Sequence, residues 1–369
     1  ERDDHGFFVH DRVQEAAYTL VPIEERDRLH LTIGRLLLKR HRASDHEQNL
    51  FRIVDQLNHG LDLVEDEQER MQFARLNLQA ARAARQASAF ETGLNYARAG
   101  IELFGENSWD QDYQLTLALH EQAALMAHAA GDIPGMEQHS EQVLQHGRDP
   151  LDLAKVQGMR SIFLSASNRL KDALDLGLET LRSLGQEFPA DPDWELAAAK
   201  VAELHNRIER ENLDFLSMPP LHDQDPQLAA ISEIFIGIAG AAYITSPALC
   251  VLIFVRCLEL CVTRRLLPAC SPWLIVGQGI HLSALLGKVE AAHEYGETSV
   301  RLAERESFRA FMPSALYHQG RYVHFWRYPL RETLDLFPRG KEISHDYGDN
   351  QFSAYLTAVW SRHAFWASI

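Results

Sequence analysis

The chain has 369 residues, 46% hydrophobic and 24% charged, with 52 acidic against 36 basic side chains and a formal net charge of −16. The apolar content excludes a disordered polypeptide, and the length exceeds what one globular core usually serves, so two domains or an elongated repeat array are expected. The acidic balance, with no basic tract, argues against nucleic-acid binding, which needs a basic surface.

Phe7-Phe8-Val9-His10 is a short apolar run that predicts a strand, and Asp11 can cap a helix carrying Val13, Ala16, Ala17 and Leu20. Pro22 suits the first turn of the next helix. Its Leu29, Leu31, Ile33, Leu36 and Leu37 run to a basic stop at Lys39-Arg40-His41-Arg42, a charge that complements the helix dipole. Leu50 to Leu57, Met71 to Ala87 and Phe90 to Phe104 predict three further helices, followed by a turn at Gly105-Glu106-Asn107-Ser108.

Leu151 to Gly185 is the clearest unit. Leu151, Ala154, Gly158, Met159, Ile162, Phe163 and Ala166 fall on one helical face. After the turn Ser167-Asn168-Arg169, the residues Leu170, Ala173, Leu174, Gly177, Leu178, Leu181 and Leu184 mark a second, and Gly185 stands where a left-handed cap is needed. Such a helical hairpin cannot bury its face alone and implies neighbours of the same kind. Aligning second helices places Phe90, Ile133, Leu170 and Val289 in one apolar slot, and seven residues later Ala97, Ser140, Gly177 and Gly296 in one small slot. The steps are 43, 37 and 119 residues, and the last leaves room for two further units of about 40 residues. A recurring small residue lets helix backbones approach closely.

Three Asp-Pro pairs, Asp149-Pro150, Asp191-Pro192 and Asp225-Pro226, each precede an apolar-periodic run and predict capped helix starts. Between Leu213 and Pro226 no period is visible, which marks a linker. Ile234 to Val255 contains 22 residues without a charge, long enough to cross a bilayer. Ser246-Pro247 near its centre suggests instead a buried hairpin of two shorter helices, with a membrane span as the rival. Ser271-Pro272-Trp273 opens another helix, and Gly287-Lys288 is the turn before the helix of Val289. Met312 to Trp326 and Leu330 to Phe337 are expected to form a last hairpin, with Phe337 in the slot where a small residue is expected.

Catalytic motifs are missing. Gly287-Lys288 lacks the earlier glycine of a phosphate loop, His10-Asp11-Arg12 reverses the order of a kinase catalytic loop, and His120-Glu121 lacks the second histidine of a zinc-protease helix. Cys250, Cys257, Cys261 and Cys270 lie in one apolar region. Buried thiols in a reducing cytoplasm suit them better than a zinc site, although Cys257 and Cys261 are four apart. The histidines His30, His59, His128, His139 and His146 are scattered and expected on polar faces or helix ends. No catalytic, cofactor-binding or metal-ligating residue is assigned. Aromatics concentrate late, and Trp273, Tyr317, Tyr322 and Trp326 are the candidate partner-binding residues, since exposed Trp and Tyr are typical anchors.

The run His10-Asp11-Arg12-Val13-Gln14-Glu15-Ala16-Ala17-Tyr18, then Pro22, Arg28-Leu29-His30 and Ile33-Gly34-Arg35-Leu36-Leu37, resembles a segment of large multidomain bacterial signalling proteins. Phe51 to Asn58, Ala74 to Leu78, Ala80 to Ala84, Tyr96 to Gly100 and His324 to Arg327 extend the resemblance across nearly the whole chain. In that family a protein-kinase-like domain is often followed by an AAA-type, STAND-like ATPase, a tetratricopeptide-like helical region, a GAF or PAS sensor and a histidine kinase. The resemblance implies the helical region, with Phe7 to Val9 as the last strand of a winged-helix remnant and the catalytic modules outside these residues.

The expected architecture is an all-α, tetratricopeptide-like α-solenoid of stacked antiparallel hairpins. Residues 1–45 would be the winged-helix remnant and connecting helices, 46–212 a first array, 213–225 a linker and 226–369 a second array, truncated at its end. The expected role is non-catalytic interaction, sensing and coupling between an ATPase switch and signalling output in the cytoplasm, without cofactor. Its partners would be neighbouring domains of the same polypeptide and a protein or small-molecule ligand in the concave surface. Rival roles are a free-standing scaffold, the repeat domain of an ATP-dependent transcription regulator, and a membrane protein.

Overall fold

A computed structural model describes residues 18–40, 47–222 and 224–368, and these are almost entirely helical, in stacked antiparallel hairpins. The predicted strand at Phe7 to Val9, and with it the winged-helix remnant, lies outside the described residues. The chain divides into two compact units, one ending at Arg148 and the other beginning at Asp149.

In the first unit, α1 (Ile23–Arg40) pairs with α2 (Glu47–Asn58), α3 (Glu67–Gln86) with α4 (Phe90–Glu102), and α5 (Tyr113–Ala130) with α6 (Ile133–His146). Within this unit α2 also packs on α3, and α4 on α5, so the hairpins cover one another's apolar faces. Asn77 is completely buried between α3 and α2, where its amide exchanges hydrogen bonds with Asn58 at 2.8 and 2.9 Å. That satisfaction lets a polar side chain sit in the core.

The second unit opens with α7 (Pro150–Ala166) and α8 (Leu170–Ser183), the hairpin read most clearly from the sequence. Asp149 caps α7 in a capping box with Asp152. Next comes α9 (Trp194–Arg210), then the hairpin α10 (Pro226–Thr245) and α11 (Pro247–Arg264), then α12 (Ser271–Leu286) and α13 (Val289–Ala303). Met312–His318 is α14, continued by a π-helical turn at Gln319–Val323, and α15 (Leu336–Asp346) and α16 (Asn350–Ala367) complete the described residues.

The slot alignment corresponds to a repeated backbone device. Phe90, Ile133, Leu170 and Val289 are each the first residue of a second helix, and two residues before each stands a left-handed residue: Ser88, Gly131, Asn168 and Gly287. Gly348 precedes Asn350 in the same way. The amide following the left-handed residue bonds back five residues, as in Ala89 to Ala84, Asp132 to Ala127 and Arg169 to Leu164, and so satisfies a carbonyl at the end of the preceding helix. The small slots are buried where packing is tightest: a Cβ on Gly177 would run into Ile238 of α10, and one on Gly296 into the amide of Gln319.

Three expectations need correction. Between Leu170 and Val289 there is one further hairpin, α10 with α11, and the lone helix α9, which packs against α11 and α12. The α9 start is capped by Asp193, not by the Asp191-Pro192 pair, because the Asp193 carboxylate reaches the Leu196 amide at 2.8 Å, one turn before the first buried residue, Ala197. At the last hairpin, Leu330–Asp335 is a 3₁₀ segment and Phe337 is complementary to its surroundings, packing where Gly320 leaves room. The close approach in α15 is at Gly340, against Leu356 of α16.

The charge-free run is broken at Ser246, and its halves pack as α10 and α11. The α10 helix is long and apolar enough to cross a membrane, with a mean hydropathy of 1.7 over its most apolar window, yet 61% of that window is buried against neighbouring elements.

Candidate functional site

The late aromatics converge in the second unit, where α10, α12, α14 and α16 meet. Trp273 enters from the first turn of α12, opened by Pro272, whose fixed φ suits a helix start. Its indole packs on Phe235 of α10 at 5.3 Å, on Phe254 of α11 at 5.5 Å and on His318 of α14 at 5.9 Å. Tyr317 lies 5.0 Å from the His318 ring, 6.2 Å from Tyr322, and 5.7 and 5.6 Å from Phe352 and Tyr355 of α16. Tyr322 is presented by the π-helical turn, a widened geometry that recurs at functional sites. The structure therefore brings Trp273, Tyr317 and Tyr322 together. Trp326, 58% exposed, turns away: its ring contact is with Phe325, and only its Nε1, donating to the Tyr322 carbonyl at 3.1 Å, ties it to the cluster.

Several further side chains join the cluster. His318 donates its Nδ1–H to the Ser314 carbonyl at 2.6 Å, so its neutral ring has no second N–H. Burial pushes its pKa down to about 4, and burial together with His318 does the same to His281. Tyr243, near the end of α10, lies beside Tyr322, which with burial raises the Tyr243 hydroxyl. Burial and Tyr322 raise Tyr317 to about 12. Both phenols thus remain hydrogen-bond donors at neutral pH. Arg321 lies over the Tyr322 ring at 5.0 Å. A local signal for part of this existed, since Tyr317, His318, Arg321 and Tyr322 stand at i, i+1, i+4 and i+5. Tyr243 and His281 had none.

A second cluster lies in the first unit. The Trp109 indole stacks on His120 and on His146, with ring centroids 5.4 and 4.7 Å apart. His120 meets His139 through their Nδ1 atoms at 3.2 Å. His120 and His139 are buried rather than on a polar face or helix end, because each lies on the side of its helix that faces the other. Cys250, Cys257, Cys261 and Cys270 are all buried free thiols. Among the described residues no group of three histidine, cysteine or acidic side chains is placed to hold a metal ion.

No protein-family model matches the chain. Among curated proteins it is similar to hybrid signal transduction histidine kinase G of Dictyostelium discoideum, 27% identical over 202 residues, a match covering 48% of this chain and 6% of that protein. About half of the chain thus matches a small part of a much longer protein. It resembles a segment of a signal-transduction histidine kinase.

Proposed function

We propose that the chain is a tetratricopeptide-like interaction and sensing segment that does no chemistry itself and couples a STAND-type ATPase switch to signalling output in a multidomain kinase. The observation that carries this reading is the match to 6% of a hybrid histidine kinase, made by a chain built of stacked hairpins. Stacked hairpins suit coupling because small rotations between repeats change when a ligand or neighbouring domain binds one of their arrangements better. Its partners in this reading are the ATPase and sensor or kinase modules of the same polypeptide, in the cytoplasm, with Trp273, Tyr317 and Tyr322 on the receiving face.

Two measurements test it. The purified chain is expected to hydrolyse no ATP above a matched blank, and hydrolysis that copurifies with the protein would overturn the non-catalytic part. In the polypeptide that carries the segment, deleting residues 149–369 is expected to leave ATP hydrolysis and histidine phosphorylation each measurable but to remove the dependence of one on the other. Retained dependence would overturn the coupling role.

A further inference from the structure

Arg321 sits among phenols rather than beside a carboxylate. Arg35, Arg98, Arg207, Arg256 and Arg264 each pair with a carboxylate, as expected where acidic side chains are in excess. Arg321 pairs with none among the described residues. Its polar neighbours include three phenols, Tyr322, Tyr317 and Tyr243, and the His318 and His363 rings; it is hydrogen-bonded to Tyr322, while its Nε is buried with no hydrogen-bond partner. A buried guanidinium N–H left unmatched costs free energy that native structures rarely leave uncompensated. The free Nε lies on the edge of the guanidinium that, with a neighbouring Nη, grips two oxygens of one anion.

We propose that Arg321, Tyr243, Tyr317 and Tyr322 form a binding site for the oxyanion head, carboxylate or phosphate, of a small ligand whose apolar body rests on the aromatic floor around Trp273 and Phe352. The phenols are linked through Tyr322 beside the guanidinium, and among the described residues no carboxylate is paired with it. His318 contributes a ring face only, since its one N–H is spent on Ser314. The inference rests on the reading of this face as the receiving surface and adds the chemistry of what it receives.

The test titrates the whole chain with phenylacetate and, separately, with inorganic phosphate, reading intrinsic tryptophan fluorescence and heat of binding. Saturable binding of phenylacetate identifies a carboxylate head with an apolar body, and saturable binding of phosphate identifies a phosphate head. Arg321→Met is expected to weaken either by about tenfold or more, the scale of a charge-assisted hydrogen-bonded contact. Tyr243→Phe, at an exposed position that leaves packing intact, is expected to weaken it less. Circular dichroism of both variants checks that they fold. No binding of either probe to folded wild type, or unchanged affinity in folded Arg321→Met, overturns the site. Either result leaves the coupling test of residues 149–369 to stand or fall by itself.

Discussion

His120 and His139 show how much a single contact can constrain protonation. Their Nδ1 atoms are 3.2 Å apart, so one ring donates and the other accepts. Placing the proton on His139 leaves its unpartnered Nε2 as a bare lone pair, which is cheaper than a buried N–H without an acceptor. Two protonated rings would face each other hydrogen to hydrogen. Burial first, then neighbouring positive groups, push both pKa values down to about 4. The unfolded chain takes up these protons near pH ~6.5, while the folded chain resists until about pH 4. Their contribution to stability is therefore complete above the unfolded value and lost as pH falls through this window. The urea midpoint is expected to fall between pH 7 and pH 5, and to fall less in His120→Gln. A midpoint that holds or rises on acidification would contradict this account.

At the scale of the element, the hairpin depends on two features seven or more residues apart: a left-handed residue that ends the first helix, and a small one that lets the second helix seat its neighbour. In α8 these are Asn168, with φ of 59°, and Gly177. Because a Cβ on Gly177 would overlap the buried Ile238 side chain, Gly177→Ala is expected to cost about 1–3 kcal/mol, the usual scale of overpacking. Ile238→Ala opens the space that the new methyl needs. The double variant should therefore lose less than the sum of the two singles. Additive losses in a double-mutant cycle would mean that the two residues do not meet.

Across the whole molecule, α10 and α11 decide whether the apolar run is an internal hairpin or a bilayer span. Ser246 is extended, with φ of −149°, and Pro247 starts the next helix immediately. Tyr243 and Ile244 beside the turn are exposed, while Cys250 reaches back to the Ala239 carbonyl at 3.6 Å and joins the two helices beneath it. A short Gly-Ser loop inserted between Ser246 and Pro247 is expected to shift the melting midpoint by no more than about 3 °C, since closing a slightly longer loop costs roughly half a kcal/mol. Loss of the folded protein on insertion would count against an internal hairpin.

The sequence by itself determined the helices, the turn that joins many of them and the slots that recur along the chain, because these depend on residues three to seven apart. Phe90, Ile133, Leu170 and Val289 were legible as helix starts, and Asp149 and Asp225 as caps, through local chemistry alone. Tyr317 and Tyr322 were legible beside Arg321 through local spacing, but neither they nor Trp273 were legible as neighbours of Tyr243. Only tertiary structure decided that α10, rather than α9, covers α7 and α8, because which apolar face closes on which depends on shape at distant positions, such as Ile238 against Gly177. It also decided the candidate site. Tyr243 at the end of α10 and Arg321 in the π-helical turn after α14 interact within the same unit, a juxtaposition that no local spacing encodes.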